Sequence, residues 1–331
     1  MTEQGTSIQT RSPRAPGCAK GFLVGLAVLL AVVAVLAVLR MGSVVVVTED
    51  DGYVQTADGA PIEFSVVSYN VQARPWFDDA KYKFTHMSPL LNPHDLVGIQ
   101  ECFKSYRRLW DGTTHPVKIY HGTLKAPWKI CGSGLSVLAR FPLLELDTEH
   151  FDTAGDTQNM PASKGMVFAR FDVAGVPIDF YTTHMEAGRK PRAMWSRREQ
   201  GEQLVRFVRR HSPAEHAVIF AGDFNMRPTR GDDAPLENYT PGAAELDFAA
   251  MTREQIFAAI LLELGLTDAG VQLHGTAYSG VDHVLYRSGI EATLTPLSWQ
   301  DDDEAFYRDG KPLSDHEPMI VRFRIKPLVD R

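Results

Sequence analysis

Residues 21–39, GFLVGLAVLLAVVAVLAVL, contain no charge and no proline. As a helix rising 1.5 Å per residue the run would span roughly 28 Å, close to the hydrocarbon thickness of a bilayer. No polar face interrupts it, so the pattern predicts a transmembrane helix rather than a core helix. A cleaved signal peptide has a shorter apolar region and a small-residue cleavage site. Here the run continues into RMGSVVVV, which predicts an uncleaved signal anchor. Arg11, Arg14 and Lys20 precede it, whereas the charges that follow Arg40 are Glu49, Asp50 and Asp51. The positive-inside asymmetry makes residues 1–20 a cytoplasmic tail and places the rest of the chain outside the cytoplasm.

Beyond the anchor the pattern changes to short apolar segments bounded by polar turns. Residues 40–61 read as a stalk or leading strand, and residues 62–331 as one unit without an internal repeat or low-complexity linker. Strands are predicted at 64–70, 95–101, 133–140, 164–173, 177–184, 216–225, 281–287 and 318–325. A helix is predicted over 191–211, with Trp195, Leu204, Val205 and Val208 on a basic background. Another over 252–265 opens on a Thr-x-x-Gln capping box and stops at a glycine. Many strands with interspersed helices predict a layered α+β fold.

Composition narrows the partners. Without residues 1–40, which hold four basic residues and one acid, 30 basic residues remain against 40 acidic ones, a net charge of −10. Such a body is poorly suited to gripping nucleic acid, which needs clustered Lys and Arg. Arg189 to Arg210 is the one basic stretch, read first as a solvated helix face and second as a surface steering anionic groups. Cys102 and Cys131 read either as one disulfide or as two buried thiols, and nothing resembles a zinc framework.

The strand ends carry the chemistry. HAVIFAGDFN ends on Asp223 and Asn225, which alternation would place on one side with Phe224 turned into the core. Asn70 ends the first strand, Gln100 and Glu101 end the second, and His184 ends another. Asp282 opens VDHVLYR, and Asp315 and His316 precede the last strand. Each alone could be a turn residue. Together they would converge on one rim of a sheet. Asn70, Glu101 and Asp315 are the oxygen donors that Mg²⁺ prefers. His184 and His316 are placed to move protons, with Asp282 fixing one imidazole's tautomer. Asp223 and Asn225 would orient a nucleophilic water and a phosphoryl oxygen.

The segments SYNV, IQE, TTH, GDFN, VDHVLY and SDHEP, in that order, resemble the motif set of the endonuclease/exonuclease/phosphatase superfamily over roughly residues 62–326. The resemblance implies a four-layer α+β sandwich, two packed mixed sheets flanked by helices, preceded here by the transmembrane helix. It implies metal binding at Asn70 and Glu101 and a catalytic pair at Asp223 and Asn225. Asp282 matches the histidine's partner, Asp315–His316 the terminal acid and general base, and His184 the histidine of nucleases and sphingomyelinases.

NMPASKGMVFARF, residues 159–171, is similar to the neutral sphingomyelinase-like branch and makes Lys164 a candidate phosphate contact. That branch usually carries an Asp five residues before this lysine, where this chain has Asn159, with Asp156 out of register. A lipid-inserting hairpin is not evident in LSWQDDDEAFYRDG. The expectation is a membrane-anchored phosphodiesterase using Mg²⁺, with Mn²⁺ as a substitute. It acts on a phospholipid with Lys164, Asn225 and His184 contacting substrate. The alternatives are an extracytoplasmic nuclease, a phosphoinositide or phosphomonoester phosphatase, and a non-catalytic membrane-tethered binding protein.

Overall fold

The structure, a computed structural model, describes residues 17–40, 42–54, 60–155, 161–228, 236, 239–242, 246–275, 278–301 and 304–328. Arg11 and Arg14 of the tail, and Asp156 and Asn159, lie outside the described residues. The chain divides into two units, Met1–Met41 and Gly42–Arg331. The first contains helix α1 (Gly17–Arg40), whose described large apolar side chains between Phe22 and Val35 are exposed. Among the described residues no helix is long and apolar enough to cross a membrane. The described side chains of α1 cover only part of the 21–39 run, since those at 21, 34 and 36–40 fall outside the set.

In the second unit the strands are β1 (Val44–Thr48), β2 (Ile62–Asn70), β3 (Leu96–Gln100), β4 (Val117–His121), β5 (Leu135–Ala139), β6 (Leu143–His150), β7 (Gly165–Val173) and β8 (Val176–His184). They continue with β9 (Ala217–Asp223), β10 (Thr267–Asp268), β11 (Asp282–Arg287), β12 (Ala292–Gln300), β13 (Tyr307–Arg308), β14 (Lys311–Pro312) and β15 (Met319–Pro327). One sheet runs β1-β4-β5-β3-β2-β15-β12 and the other β10-β11-β9-β8-β7-β6, with β13 and β14 forming a small ribbon. Both large sheets are mixed, because β2–β3 and β8–β9 are parallel and the remaining pairs antiparallel. From the 40–61 segment, β1 joins the first sheet as an edge strand, pairing Val44 with His121.

Alternation along these strands builds three apolar layers. Val66, Leu96, Val137, Ile219, Val284 and Val321 fill the space between the sheets. On the outer face of the second sheet, Phe168, Tyr181 and Phe220 pack against Leu204 and Phe207 of α4 (Pro191–His211) and Phe257 of α5 (Arg253–Leu264). Val67, Tyr69 and Ile99 of the first sheet pack against Phe84 and Met87 of α2 (Ala80–Leu91) and Trp110 of α3 (Tyr106–Asp111). The result is the expected four-layer order of helix, sheet, sheet, helix. In α5 the Thr252–Gln255 capping box forms in both directions, and Gly265 ends the helix at φ +62°.

Gly98 sets how closely the sheets approach behind the rim. A Cβ there would lie 2.9 Å from the Ala221 carbonyl oxygen and 3.1 Å from Thr182 Oγ1. Two residues on and on the same face, Gln100 donates to Thr182 Oγ1 (3.0 Å) and the Ala221 carbonyl (3.3 Å). Gln100 therefore bolts the sheets together. Cys102 and Cys131 are free, buried thiols.

The basic stretch is only partly a solvated face. Arg197 is fully buried and donates to the carbonyls of Glu186 (2.7 Å) and Gly188 (2.8 Å). Arg198 donates to the Met251 carbonyl, and Arg210 pairs with Glu149 at 2.7 Å. Trp195, expected on the apolar stripe with Leu204, Val205 and Val208, is exposed, whereas those three are buried.

Candidate active site

The alternation that fills the core also aims the polar strand ends. Along β9, Ala217, Ile219 and Ala221 face the inter-sheet core and Val218 and Phe220 face the helices. Asp223 is next in the inward series. Phe224 turns to the helix side and packs on Phe257, with ring centroids 5.5 Å apart. Asn225 leaves the strand at φ +52°, a left-handed conformation that Asn tolerates well. Its backbone N–H donates to Asp223 Oδ1 (2.8 Å) and its side chain to the Met185 carbonyl (3.1 Å).

Strand pairing brings the other groups to the same place. Asn70, on the inward face of β2, donates from Nδ2 to Asp223 Oδ2 across the inter-sheet space (3.1 Å). The parallel β8–β9 register pairs His184 with Asp223, and His184 Nε2 lies 3.4 Å from Asp223 Oδ2. The antiparallel β11–β9 register pairs Asp282 with Asp223 from the other side. Asp282 Oδ2 is 2.6 Å from His316 Nδ1, leaving His316 Nε2 to face the Asn70 amide at 3.5 Å. Ser314 ties the loop before β15 to the end of β2 by donating to the Asn70 carbonyl (2.6 Å).

Glu101 follows β3, whose end pairs with that of β2. Its φ of +56° is unfavourable for a residue with a long side chain, and such strain costs on the order of 1–3 kcal/mol. Glu101 Oε1 lies 3.9 Å from His184 Nε2, while Oε2 is buried without a hydrogen-bond partner. One imidazole nitrogen is thus near both Glu101 and Asp223. Asp315 sits on the outer lip, its side chain 58% exposed and Oδ1 4.0 Å from His316 Nε2. Lys164 is buried, unlike an ordinary strand-start lysine; Nζ donates to the Met185 carbonyl (2.8 Å) and lies 3.0 Å from His184 Nε2.

The donor set suits a hard divalent cation. A buried carboxylate oxygen with no partner is costly unless a cation meets it, and Glu101 Oε2 and Asp282 Oδ1 are both in that position. Among the described residues, Asp223, Asp282 and His316 form a group whose ligand-type atoms lie within 4.8 Å of one another. The oxygen-rich surroundings match Mg²⁺ chemistry better than that of a thiolate-seeking metal.

Burial sets the protonation pattern. Asp223 is pushed up to about 7 by burial and by the charge of Asp282. Burial opposes the charged form of His316, but the hydrogen bond and charge of Asp282, with the charges of Asp223 and Asp315, raise it to about 10. His184 is held well below its ordinary value by burial and then by Lys164. Away from the rim, burial lowers His115 and His121 to about 3 each.

These three neutral histidines predict acid sensitivity. The unfolded chain takes up their protons below about 6.5, while the folded chain resists, His115 and His121 until near 3, so the contribution of all three is complete above about 6.5 and is lost as pH falls. Asp223, raised to about 7, works in the opposite direction with one proton. His316 contributes no slope below pH 6.5, being protonated in both states there. The net effect is a Tm that falls between pH 6.5 and 5 in EDTA. A Tm that stays flat or rises across that window contradicts the assignment.

The sequence reading leaves out one side-chain pair beneath the site. His283 Nδ1 lies 2.7 Å from Asp268 Oδ2, and Nε2 lies 2.8 Å from the Met226 carbonyl, just past the Asp223–Asn225 turn. Its signal was alternation itself: following Asp282 on β11, His283 must face the opposite side.

The family described as the Endonuclease/Exonuclease/phosphatase family matches residues 67–316. A sphingomyelinase of Mycobacterium bovis is 27% identical over 286 residues, covering 79% of this chain and 52% of that protein. The chain therefore spans about half the length of the curated relatives it matches. Among solved structures, Danio rerio TDP2 in complex with a single-strand DNA product superposes with a TM-score of 0.57 at 18% identity, covering 79% of this chain and 98% of that one. A double mutant of Staphylococcus aureus beta toxin with bound magnesium ions superposes with a TM-score of 0.53 at 16% identity, covering 78% and 99%.

Proposed function

Because the chain belongs to the Endonuclease/Exonuclease/phosphatase family, with its resemblance running to the sphingomyelinase-like branch, we propose that it is a membrane-tethered, Mg²⁺-dependent phosphodiesterase acting on a phospholipid of the sphingomyelin type. The observation that carries the reading is the meeting of Asn70, Glu101, Lys164, His184, Asp223, Asn225, Asp282 and His316, from both sheets, at one rim. Asn70, Glu101 and Asp315 would hold the cation, which when bound polarises the phosphoryl oxygens and offsets the carboxylate field around His316.

The protein's own groups divide the remaining work. Asp282 fixes His316 through Nδ1, so Nε2 faces the rim and accepts a proton from the attacking water. Asp223 and Asn225 align that water and one phosphoryl oxygen. As the new P–O bond forms, the bond from phosphorus to the lipid alcohol breaks. The departing oxygen meets the buried Lys164–His184 pair, which supplies its proton.

The surroundings of that pair favour a lipid. A hollow of about 160 Å³ is lined by Pro75, Trp76, Phe77 and Phe103 beside Glu101, Lys164 and His184. Trp76 is 75% and Phe77 81% exposed. Trp299 and Phe306, of the LSWQDDDEAFYRDG segment, are by contrast buried. Replacing Trp76 and Phe77 together by alanine should raise the KM for micellar sphingomyelin about tenfold and leave hydrolysis of soluble bis(p-nitrophenyl) phosphate unchanged. Equal losses on both substrates would contradict a lipid-facing role.

Tethering is assigned to residues 21–39, with the N-terminus cytoplasmic and the catalytic domain extracytoplasmic. The apolar run and the basic flank of the sequence support it. The full chain should stay in the membrane pellet after alkaline carbonate; release into the supernatant rejects the anchor. Substrate class is tested by offering sphingomyelin, phosphoinositides and plasmid DNA with Mg²⁺ and with EDTA. Sphingomyelin turnover is expected. Salt-sensitive DNA cleavage without lipid turnover would replace this reading with a nuclease.

A further inference from the structure

A second hollow, of about 580 Å³ and lined in part by Asp282 and His316, has a different chemistry. Tyr278, Trp299, Asp301, Asp315, Glu317 and Met319 line it, and neither Lys nor Arg is among its described lining residues. Tyr278 and Trp299 meet edge to face with ring centroids 4.9 Å apart, forming a fixed aromatic corner. Tyr278 is held by donating its hydroxyl proton to the Asp282 carbonyl. Glu317 is held on one oxygen by the Tyr307 hydroxyl at 2.9 Å. At the inner end is Asp282, 6% exposed, whose Oδ1 is buried without a hydrogen-bond partner.

We propose that this hollow is the subsite for an alkylammonium headgroup, with Asp301 and Glu317 as its charge-selecting residues and Tyr278 and Trp299 as its aromatic wall. The inference rests on the phosphodiesterase reading and adds to it the residues that choose the headgroup. Carboxylates around a concave wall attract a cation and repel the extra phosphates of a phosphoinositide or nucleic acid. Aromatic faces and a thioether are poor ligands for a hard, strongly hydrated metal ion but good surfaces for methyl and methylene groups carrying a diffuse positive charge. The hollow borders His316, so a headgroup seated in it leaves its phosphate at the rim. The apolar hollow beside Lys164, which shares no lining residue with this one, receives the lipid alcohol.

The test uses the full chain in detergent and the double variant Asp301→Asn, Glu317→Gln, which removes two charges without altering side-chain size. Tetramethylammonium binding is measured by calorimetry, and hydrolysis is measured on sphingomyelin and on bis(p-nitrophenyl) phosphate. The variant should bind tetramethylammonium about tenfold more weakly and show a comparable rise in KM for sphingomyelin, with the soluble diester hydrolysed as before. Unchanged tetramethylammonium affinity, or no measurable binding by the native chain, overturns the subsite even if both substrates are hydrolysed. Loss of tetramethylammonium affinity in the variant, with neither substrate hydrolysed by the native chain, leaves the subsite standing and rejects the phosphodiesterase reading instead.

Discussion

Replacing His316 by alanine is expected to lower phosphodiester turnover by about 10³-fold, within the range that a positioned acid–base group contributes. The structural reason is the pairing of Nδ1 with Asp282 Oδ2 at 2.6 Å, which leaves Nε2 facing the Asn70 amide at the rim. Because the two side chains act as a unit, Asp282→Asn combined with His316→Ala should lose little more than His316→Ala alone. Fully multiplicative losses would show that Asp282 and His316 act separately. The alanine variant also leaves both Asp282 carboxylate oxygens without a side-chain partner, at a stability cost of about 1–3 kcal/mol. Turnover must therefore be compared at a temperature where both proteins are folded.

The second large effect belongs to Glu101→Gln. In the native chain a carboxylate is held at a strained φ of +56° with one oxygen buried and unpartnered. Such an arrangement persists where a bound cation repays it. Removing the charge should leave the metal-free protein as stable as the native chain or about 1 kcal/mol more so. Added Mg²⁺ at 100 times its Kd should stabilise the native protein by about 2.7 kcal/mol. The variant should show little of that shift, and its turnover should fall by about 10²-fold or more. A native chain whose Tm ignores Mg²⁺, or a variant that keeps the full shift, would remove Glu101 from the metal site.

Much of this site could be read from the sequence because strand geometry is periodic. Once HAVIFAGD is a strand with Ile219 and Ala221 inward, Asp223 must end on the same side; the same holds for Asn70 after Val66 and Ser68. Pairing could not be read in this way. Nothing in the order of the motifs says that β9 lies between β8 and β11, which is what sets His184 and Asp282 on either side of Asp223. Nor did alternation reveal the left-handed turns at Glu101 and Asn225, which break it and aim their side chains locally.

The missed elements have local causes. β12 carries Pro296 and a register shift between Pro296 and Ser298, which it tolerates as an edge strand. β6 is also an edge, and its LLELDTEH lacks a clean apolar face. α2 contains Pro89, which lacks the N–H an interior helical residue donates and so argues against a helix; the helix ends two residues later, at Leu91. In α4 the helical period was clear, but residue type gave no sign that Arg197 would be buried against two carbonyls. Glutamine at position 100 looked like part of the chemistry, and only the sheet packing shows it binding Thr182 and Ala221 instead.

The most direct measurement follows phosphorus by ³¹P NMR in mixed micelles of sphingomyelin and the full chain, with Mg²⁺, with EDTA, and with His316→Ala in Mg²⁺. A phosphomonoester signal should grow at the expense of the phosphodiester in the first sample and stay near background in the other two. Turnover that survives EDTA or the His316 substitution, or a phosphodiester signal that persists unchanged with Mg²⁺ present, would contradict the account.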